Sequence, residues 1–132
     1  MDRRDAIKTI AAAGAVAAMP RFSMAEEKTA KTKVGLVGCS GRGLAAVGDM
    51  LAAANGSVEI VAIADLFPDR LEVADRAFEK HAKKYGKESF NLPQSRKFSG
   101  WDAYKQLLAE DVDIVIHATP PVFRPLHIRA TV

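Results

Sequence analysis

At 132 residues the chain has the length of a single domain. A hydrophobic content of 48% and a charged content of 27% are those of an ordinary globular protein, which excludes wholesale disorder, collagen-like repeats and a long coiled coil. One cysteine excludes a disulfide framework and a cysteine-based zinc site. The net charge of +3 does not mark a nucleic-acid binder: Arg3, Arg4, Lys8 and Arg21 against Asp2 and Asp5 carry most of it, and the chain beyond Ala25 is close to neutral.

Residues 1–25 read as an export address. A charged opening precedes the weakly apolar run Ile10–Met19, then Pro20, and Ser23-Met24-Ala25 offers the small side chains that a signal peptidase accepts. The run is too short to cross a bilayer, which takes roughly 20 apolar residues, so no stable membrane span is expected. Arg3-Arg4-Asp5-Ala6-Ile7-Lys8 resembles a twin-arginine signal, with Asp2 and Ala6 departing from the usual pattern. The expected location is therefore the periplasm, by the twin-arginine machinery, with the general secretory route as the alternative.

Beyond a polar linker (Glu26–Thr32), residues 33–132 alternate strand and helix. Lys33–Val37 is a short apolar run ending at glycine, and Leu44–Ala54 is rich in helix formers. Val58–Ala64 is dense in β-branched residues and reads as a strand buried on both faces. Pro68 opens a helix at the position where its fixed φ helps. Leu71, Ala74, Phe78, Ala82 and Tyr85 form one apolar stripe along it, and Gly86 is its expected stop. A short strand at Arg96–Ser99 and a short helix at Trp101–Ala109 lead to another apolar strand that reads as buried, Asp111–Ala118, of which Val112–Ala118 is expected to be left as an unpaired apolar edge. Pro120-Pro121 marks a loop, and a last helix starts near Pro125. This alternation predicts the α/β class: a Rossmann-type, doubly wound parallel sheet of about four strands, incomplete and preceded by a signal peptide.

The chemistry concentrates in Gly38-Cys39-Ser40-Gly41-Arg42-Gly43, between the first strand and the first helix. A dinucleotide site needs glycine here for a tight turn, close backbone approach to a pyrophosphate, and close packing of helix on strand. The helix N-terminus adds free N–H groups and a partial positive charge. Gly38 and Gly43 fit the fingerprint, while Ser40 replaces its middle glycine. Asp65 ends the second strand 22 residues after Gly43, the spacing of a carboxylate that accepts the adenosine ribose hydroxyls. That carboxylate would repel a 2′-phosphate, so NAD is favoured over NADP, with Arg70 weighing the other way.

Cys39 reads as a small filler, and His81 as part of an exposed face among Lys80, Lys83 and Lys84. His117 ends a strand near where ligands lie in open α/β sheets, yet it reads first as a rim histidine. Trp101 and Tyr104 are expected to pack the short helix on the sheet. The three histidines have no metal-ligand spacing.

Four motifs in order now support a resemblance. The run Val34–Gly43, Ala64-Asp65, Trp101-Asp102-Ala103-Tyr104 with Leu107-Leu108, and Asp113–Pro121 together resemble the glucose–fructose oxidoreductase/inositol dehydrogenase/MocA family, over Lys33 to Val132. The resemblance implies that Gly38, Ser40, Gly41, Arg42 and Gly43 hold the pyrophosphate, that Asp65 meets the ribose, and that Thr119, Pro120 and Pro121 lie near the nicotinamide ribose. Where many family members carry histidine this chain has Arg124, with His127 nearby. The family's Glu-Lys-Pro motif and its following substrate domain have no counterpart up to Val132, so no residue here is assigned a catalytic role. The expected function is the nucleotide-binding front of an exported NAD(P)-dependent oxidoreductase acting on a sugar, polyol or related carbohydrate, inactive as this portion alone. The alternatives are an NAD-dependent glycosidase and a catalytically silent binding module. The resemblance is compatible with an oligomer.

Overall fold

The computed structural model describes residues 30–132. The export address read in residues 1–25, and most of the linker, lie outside the described residues.

Four strands, β1 (Thr32–Val37), β2 (Val58–Asp65), β3 (Lys97–Ser99) and β4 (Ile114–His117), form one sheet in the order β3-β2-β1-β4. All three pairings are parallel, so the expected α/β class with a Rossmann-like parallel sheet is what the chain adopts. Parallel neighbours require crossovers, and helices supply them: α1 (Gly41–Ala54), α2 (Pro68–Tyr85) and α3 (Ala103–Leu108), with α4 (Arg124–Thr131) following β4. Two short 3₁₀ turns, Lys87–Ser89 and Gln94–Arg96, fill the irregular stretch before β3. The chain winds from β1 outward to β3 and then returns to place β4 on the other side of β1. The direction of winding therefore reverses between β1 and β4, and their carboxyl ends diverge there.

The helices start and stop for local reasons. Pro68 occupies the first turn of α2, where it loses no hydrogen bond, and Asp69 complements the helix dipole. Gly86 ends that helix at φ 99°, its N–H bonding back to the Ala82 carbonyl. Asn55 closes α1 in a left-handed conformation, φ 49°, which asparagine tolerates better than most residues.

The two faces of the sheet are packed differently. On one, Val34, Leu36, Ile60 and Ile63 meet Val47 and Leu51 of α1 and Leu71, Ala74 and Phe78 of α2. On the other, Val37, Val61, Ala62 and Ala64 meet Ala103, Tyr104 and Leu107 of α3. Small residues let α3 come close there: a Cβ on Gly35 would sit 2.8 Å from a Leu107 methyl.

A β-bulge lies between these faces. The register of β1 on β2 runs Val34 with Ile60 and then Gly35 with Ala62, so Val61 is the extra residue. Val61 and Ala62 both pack in the α3 layer, and the alternation resumes with the other parity. Val58, Ile60 and Ile63 accordingly share the α1–α2 face, and Asp65, two residues after Ile63, falls on that face as well.

Three expectations meet qualification or correction. The fourth strand is the expected apolar edge of the described sheet, but for that reason it is not a second buried strand: Ile114 is 43% exposed and its neighbours are half-buried. Its β-branched run is as apolar as that of β2, but only β1 flanks it. Trp101 does not pack α3 on the sheet; it is 72% exposed and meets the Phe123 ring edge-on at 6.2 Å. Only Tyr104 packs inward as expected. His81 is half-buried rather than exposed, because α2 crosses α1 at Gly48, where a Cβ would stand 2.9 Å from the imidazole.

Candidate functional site

The carboxyl ends of the strands open into a cleft of about 250 Å³ at the point where winding reverses. It draws Gly38 and Ser40 from the turn after β1, Asp65 and Phe67 from the end of β2, Trp101 from the loop after β3, and Thr119, Pro120 and Phe123 from the loop after β4. Arg70 and His127 also reach it.

The glycine-rich turn separates into positions that the protein itself demands and positions that it leaves open. Gly38 sits at φ 99°, and a Cβ there would lie 2.8 Å from the Ala118 carbonyl carbon and 2.9 Å from the Thr119 nitrogen. The backbone leaving β4 thus runs directly across it. Gly43 is buried under the turn, where a Cβ would come within 2.1 Å of the Gly38 carbonyl oxygen. Both would be required in a ligand-free strand–helix corner. Gly41 is different: an added Cβ would meet nothing within 4 Å. It is exposed at the first residue of α1, and no packing among the described residues asks for glycine there.

The α1 N-terminus is short of negative charge. Ser40 occupies the cap position, but its side chain makes no cap hydrogen bond, and no acidic residue lies in the first turn. Arg42 sits there instead, exposed. A cation beside the positive end of a helix is locally unfavourable, by about 0.3–1 kcal/mol at an exposed position. An anion over the turn would reverse that sign and would also satisfy the backbone N–H groups that a first turn leaves without intrahelical partners.

Asp65 is held by two backbone donors. The Cys39 N–H donates to its Oδ2 at 2.7 Å and the Phe67 N–H to its Oδ1 at 3.0 Å. It does not cap α2, whose cap residue is Phe67. Each carboxylate oxygen retains further acceptor capacity, and Asp65 lines the cleft. Cys39 itself is buried; removal of its thiol from solvent, with the nearby Asp65 and Asp75 charges, pushes its pKa up to about 12. It is a core side chain and not a nucleophile at neutral pH.

On the opposite wall, α4 folds back over the end of β4. The His127 ring is buried, with its centroid 4.3 Å from that of Tyr104 and 6.2 Å from that of Phe123. Its Nδ1 is 3.1 Å from the Thr119 hydroxyl. The Thr131 hydroxyl donates to the His127 carbonyl at 2.9 Å, so it can only accept from His117, whose Nε2 is 2.8 Å away. The Nε2–H tautomer of His117 suits this arrangement, and its buried Nδ1 has no partner among the described residues. Burial, and for His117 also the neighbouring His127, holds both imidazoles below their usual pKa. Among the described residues no group of three or more metal-ligating side chains comes together.

The structure thus brings Gly38, Ser40, Asp65, Thr119 and Pro120 to one cleft, with Gly41 and Arg42 exposed at its helix N-terminus and Gly43 buried beneath. Pro121 is exposed and does not line it. Phe67, Trp101, Phe123 and His127 line the cleft without having been singled out for it from the sequence. For Trp101 and Phe67 a signal existed: large aromatics in loops that directly follow strands, at the sheet end where ligands gather. Comparison of the chain with protein-family models, with curated proteins and with solved structures gives no match.

Proposed function

We propose that the cleft binds a dinucleotide, NAD in preference to NADP, and that the chain is the nucleotide-binding part of an exported oxidoreductase acting on a sugar, polyol or related carbohydrate. The observation that carries the nucleotide reading is the open space over Gly41, at an uncapped helix N-terminus beside Arg42, where the sheet reverses direction. A plain structural corner needs Gly38 and Gly43 but not Gly41, and it gains nothing from Arg42.

Gly38, Ser40, Gly41, Arg42 and Gly43 would form the cradle for the pyrophosphate, with backbone N–H groups and the Arg42 guanidinium facing its charge. Asp65 would accept from the ribose hydroxyls, and its negative charge disfavours a 2′-phosphate. Thr119 and Pro120 would border the nicotinamide end. A nicotinamide cofactor would supply a hydride carrier, and the residues named above would bind and orient it. The carbohydrate substrate and the oxidoreductase class rest on the family resemblance, and export on the pattern of residues 1–25.

Titration of the full chain with NAD and NADP, followed by calorimetry, tests the central reading. NAD is expected to bind more tightly than NADP, and Asp65→Ser is expected to erode that preference. A chain that binds neither refutes the nucleotide reading. Mass spectrometry of protein exported by the source cell tests the address: a mature chain starting near Glu26 supports it, and one starting at Met1 refutes it.

A further inference from the structure

We propose that Asp65 is a positioning residue for the phosphate cradle as well as a ribose contact: it braces the glycine-rich turn through the Cys39 N–H, and the bulge in β2 aims it there. The inference rests on the nucleotide reading above and deepens it. In a regular strand, residues of the parity of Val58 and Ile60 would keep the α1–α2 face and Asp65 would point into the α3 layer. The extra residue at Val61 inverts the parity, and the carboxylate arrives on the side of the turn.

Once there it makes a charge-assisted hydrogen bond of 2.7 Å to the Cys39 N–H. Cys39 follows Gly38, the residue that turns at φ 99°, and precedes the cap residue Ser40. The remaining ties converge on the same few atoms: the Gly38 N–H donates to the Ala64 carbonyl at 2.9 Å, and the Cys39 thiol lies 3.7 Å from that carbonyl. The second oxygen of Asp65 holds the Phe67 N–H at 3.0 Å, which fixes the carboxylate in orientation. One side chain thus couples the two loops that would grip opposite ends of an adenosine diphosphate. Removing it loosens the phosphate-binding amides even for a ligand that has no ribose hydroxyl to offer.

The test uses the full chain in three forms: wild type, Asp65→Asn and Asp65→Ser. Amide hydrogen exchange without ligand reads the brace, and titration with ADP and with 2′,3′-dideoxy-ADP reads its consequence. In Asp65→Ser the Cys39 amide should lose protection while interior β2 amides such as that of Ile60 keep theirs. Affinity for the dideoxy nucleotide should fall about tenfold, the size expected for one charged hydrogen bond. Asp65→Asn keeps an acceptor oxygen of the same reach and should lie between the two, a rescue that general destabilisation would not produce. Unchanged Cys39 protection overturns the inference. So does a dideoxy nucleotide held equally by wild type and Asp65→Ser while ADP weakens, since Asp65 would then read the ribose alone and the nucleotide reading would survive. A wild-type chain that binds neither ligand overturns the nucleotide reading and the phosphate role with it.

Discussion

β2 and β4 flank the same strand, carry the same kind of β-branched sequence and supply opposite walls of the same cleft, yet they are built very differently. β2 lies between β1 and β3 with helices on both faces, and five of its eight residues in succession, Ile60 to Ala64, are buried. β4 has one neighbour in the described sheet and no fully buried residue, and the helix after it leaves Leu126 and Ile128 exposed. The burial of a strand is thus a property of its neighbours, not of its own composition. The wall that holds Asp65 is backed by a strand packed on both faces and by two backbone hydrogen bonds, and the wall that holds Thr119 and His127 rests on a few stacked rings and hydroxyl hydrogen bonds.

The sharpest way to break the comparison is to shorten one isoleucine on each strand. Ile60 is fully buried, and Ile60→Ala is expected to cost about 4 kcal/mol in a denaturant melt, the transfer loss plus the cavity left behind. Ile114 is 43% exposed, so Ile114→Ala should cost about 1 kcal/mol or less. Equal losses would show that β4 is as deeply packed as β2.

The glycines of the turn divide along the same line. Gly43→Ala drives a Cβ into the Gly38 carbonyl, where only backbone can move, and is expected to cost about 3 kcal/mol despite the better helix propensity of alanine. Gly41→Ala should leave the melt within about 0.5 kcal/mol of wild type, because its new methyl meets open space. It should nevertheless weaken NAD binding several-fold in the same titration that tests the wild type. A Gly41→Ala chain that binds NAD normally would show that the cofactor does not approach this turn closely.

Acid should act on the β4–α4 wall first. Both His117 and His127 are held below the ordinary value of 6.5, mainly by burial. The folded chain therefore binds fewer protons at these sites than the unfolded chain. Their contribution to stability is complete above about pH 6.5 and is lost as pH falls through that value toward the lowered folded values. The groups facing them are Tyr104, Phe123, Thr119 and Thr131, and the nearest cation bonded to this loop is Arg124, whose Nε donates to the Thr119 carbonyl. Amide protection factors across α4, taken relative to the intrinsic rate at each pH, should fall as pH drops below about 6.5, with those of β2 amides unaffected. The His117→Gln/His127→Gln double variant should remove that pH dependence; a fall that persists in it would place the titration elsewhere.

The smallest effect expected is chemical. With its pKa pushed up to about 12 and its side chain buried, Cys39 should resist alkylation at neutral pH until the chain is unfolded. Rapid labelling of the native protein would show that the turn opens readily.

Much of this was legible in the residues. Alternating apolar runs and helix formers, Pro68 and Gly86 at the ends of one helix, and the glycine-rich turn between strand and helix specify an α/β chain and the position of its site, because these signals act over one or two turns of backbone. Asp65 was legible as a candidate by its spacing from Gly43. What the sequence could not convey was direction and cover. A single bulge at Val61 reverses every side chain after it, and it exists only because β1 and β2 pair in that register. The need for glycine at Gly43, and its absence at Gly41, depends on where the Gly38 carbonyl and the β4 exit pass in space. The exposure of Trp101 and the half-burial of His81 follow from which elements happen to lie opposite them. Local chemistry is written along the chain, whereas parity, clearance and burial arise between segments dozens of residues apart, and only tertiary structure brings those segments together.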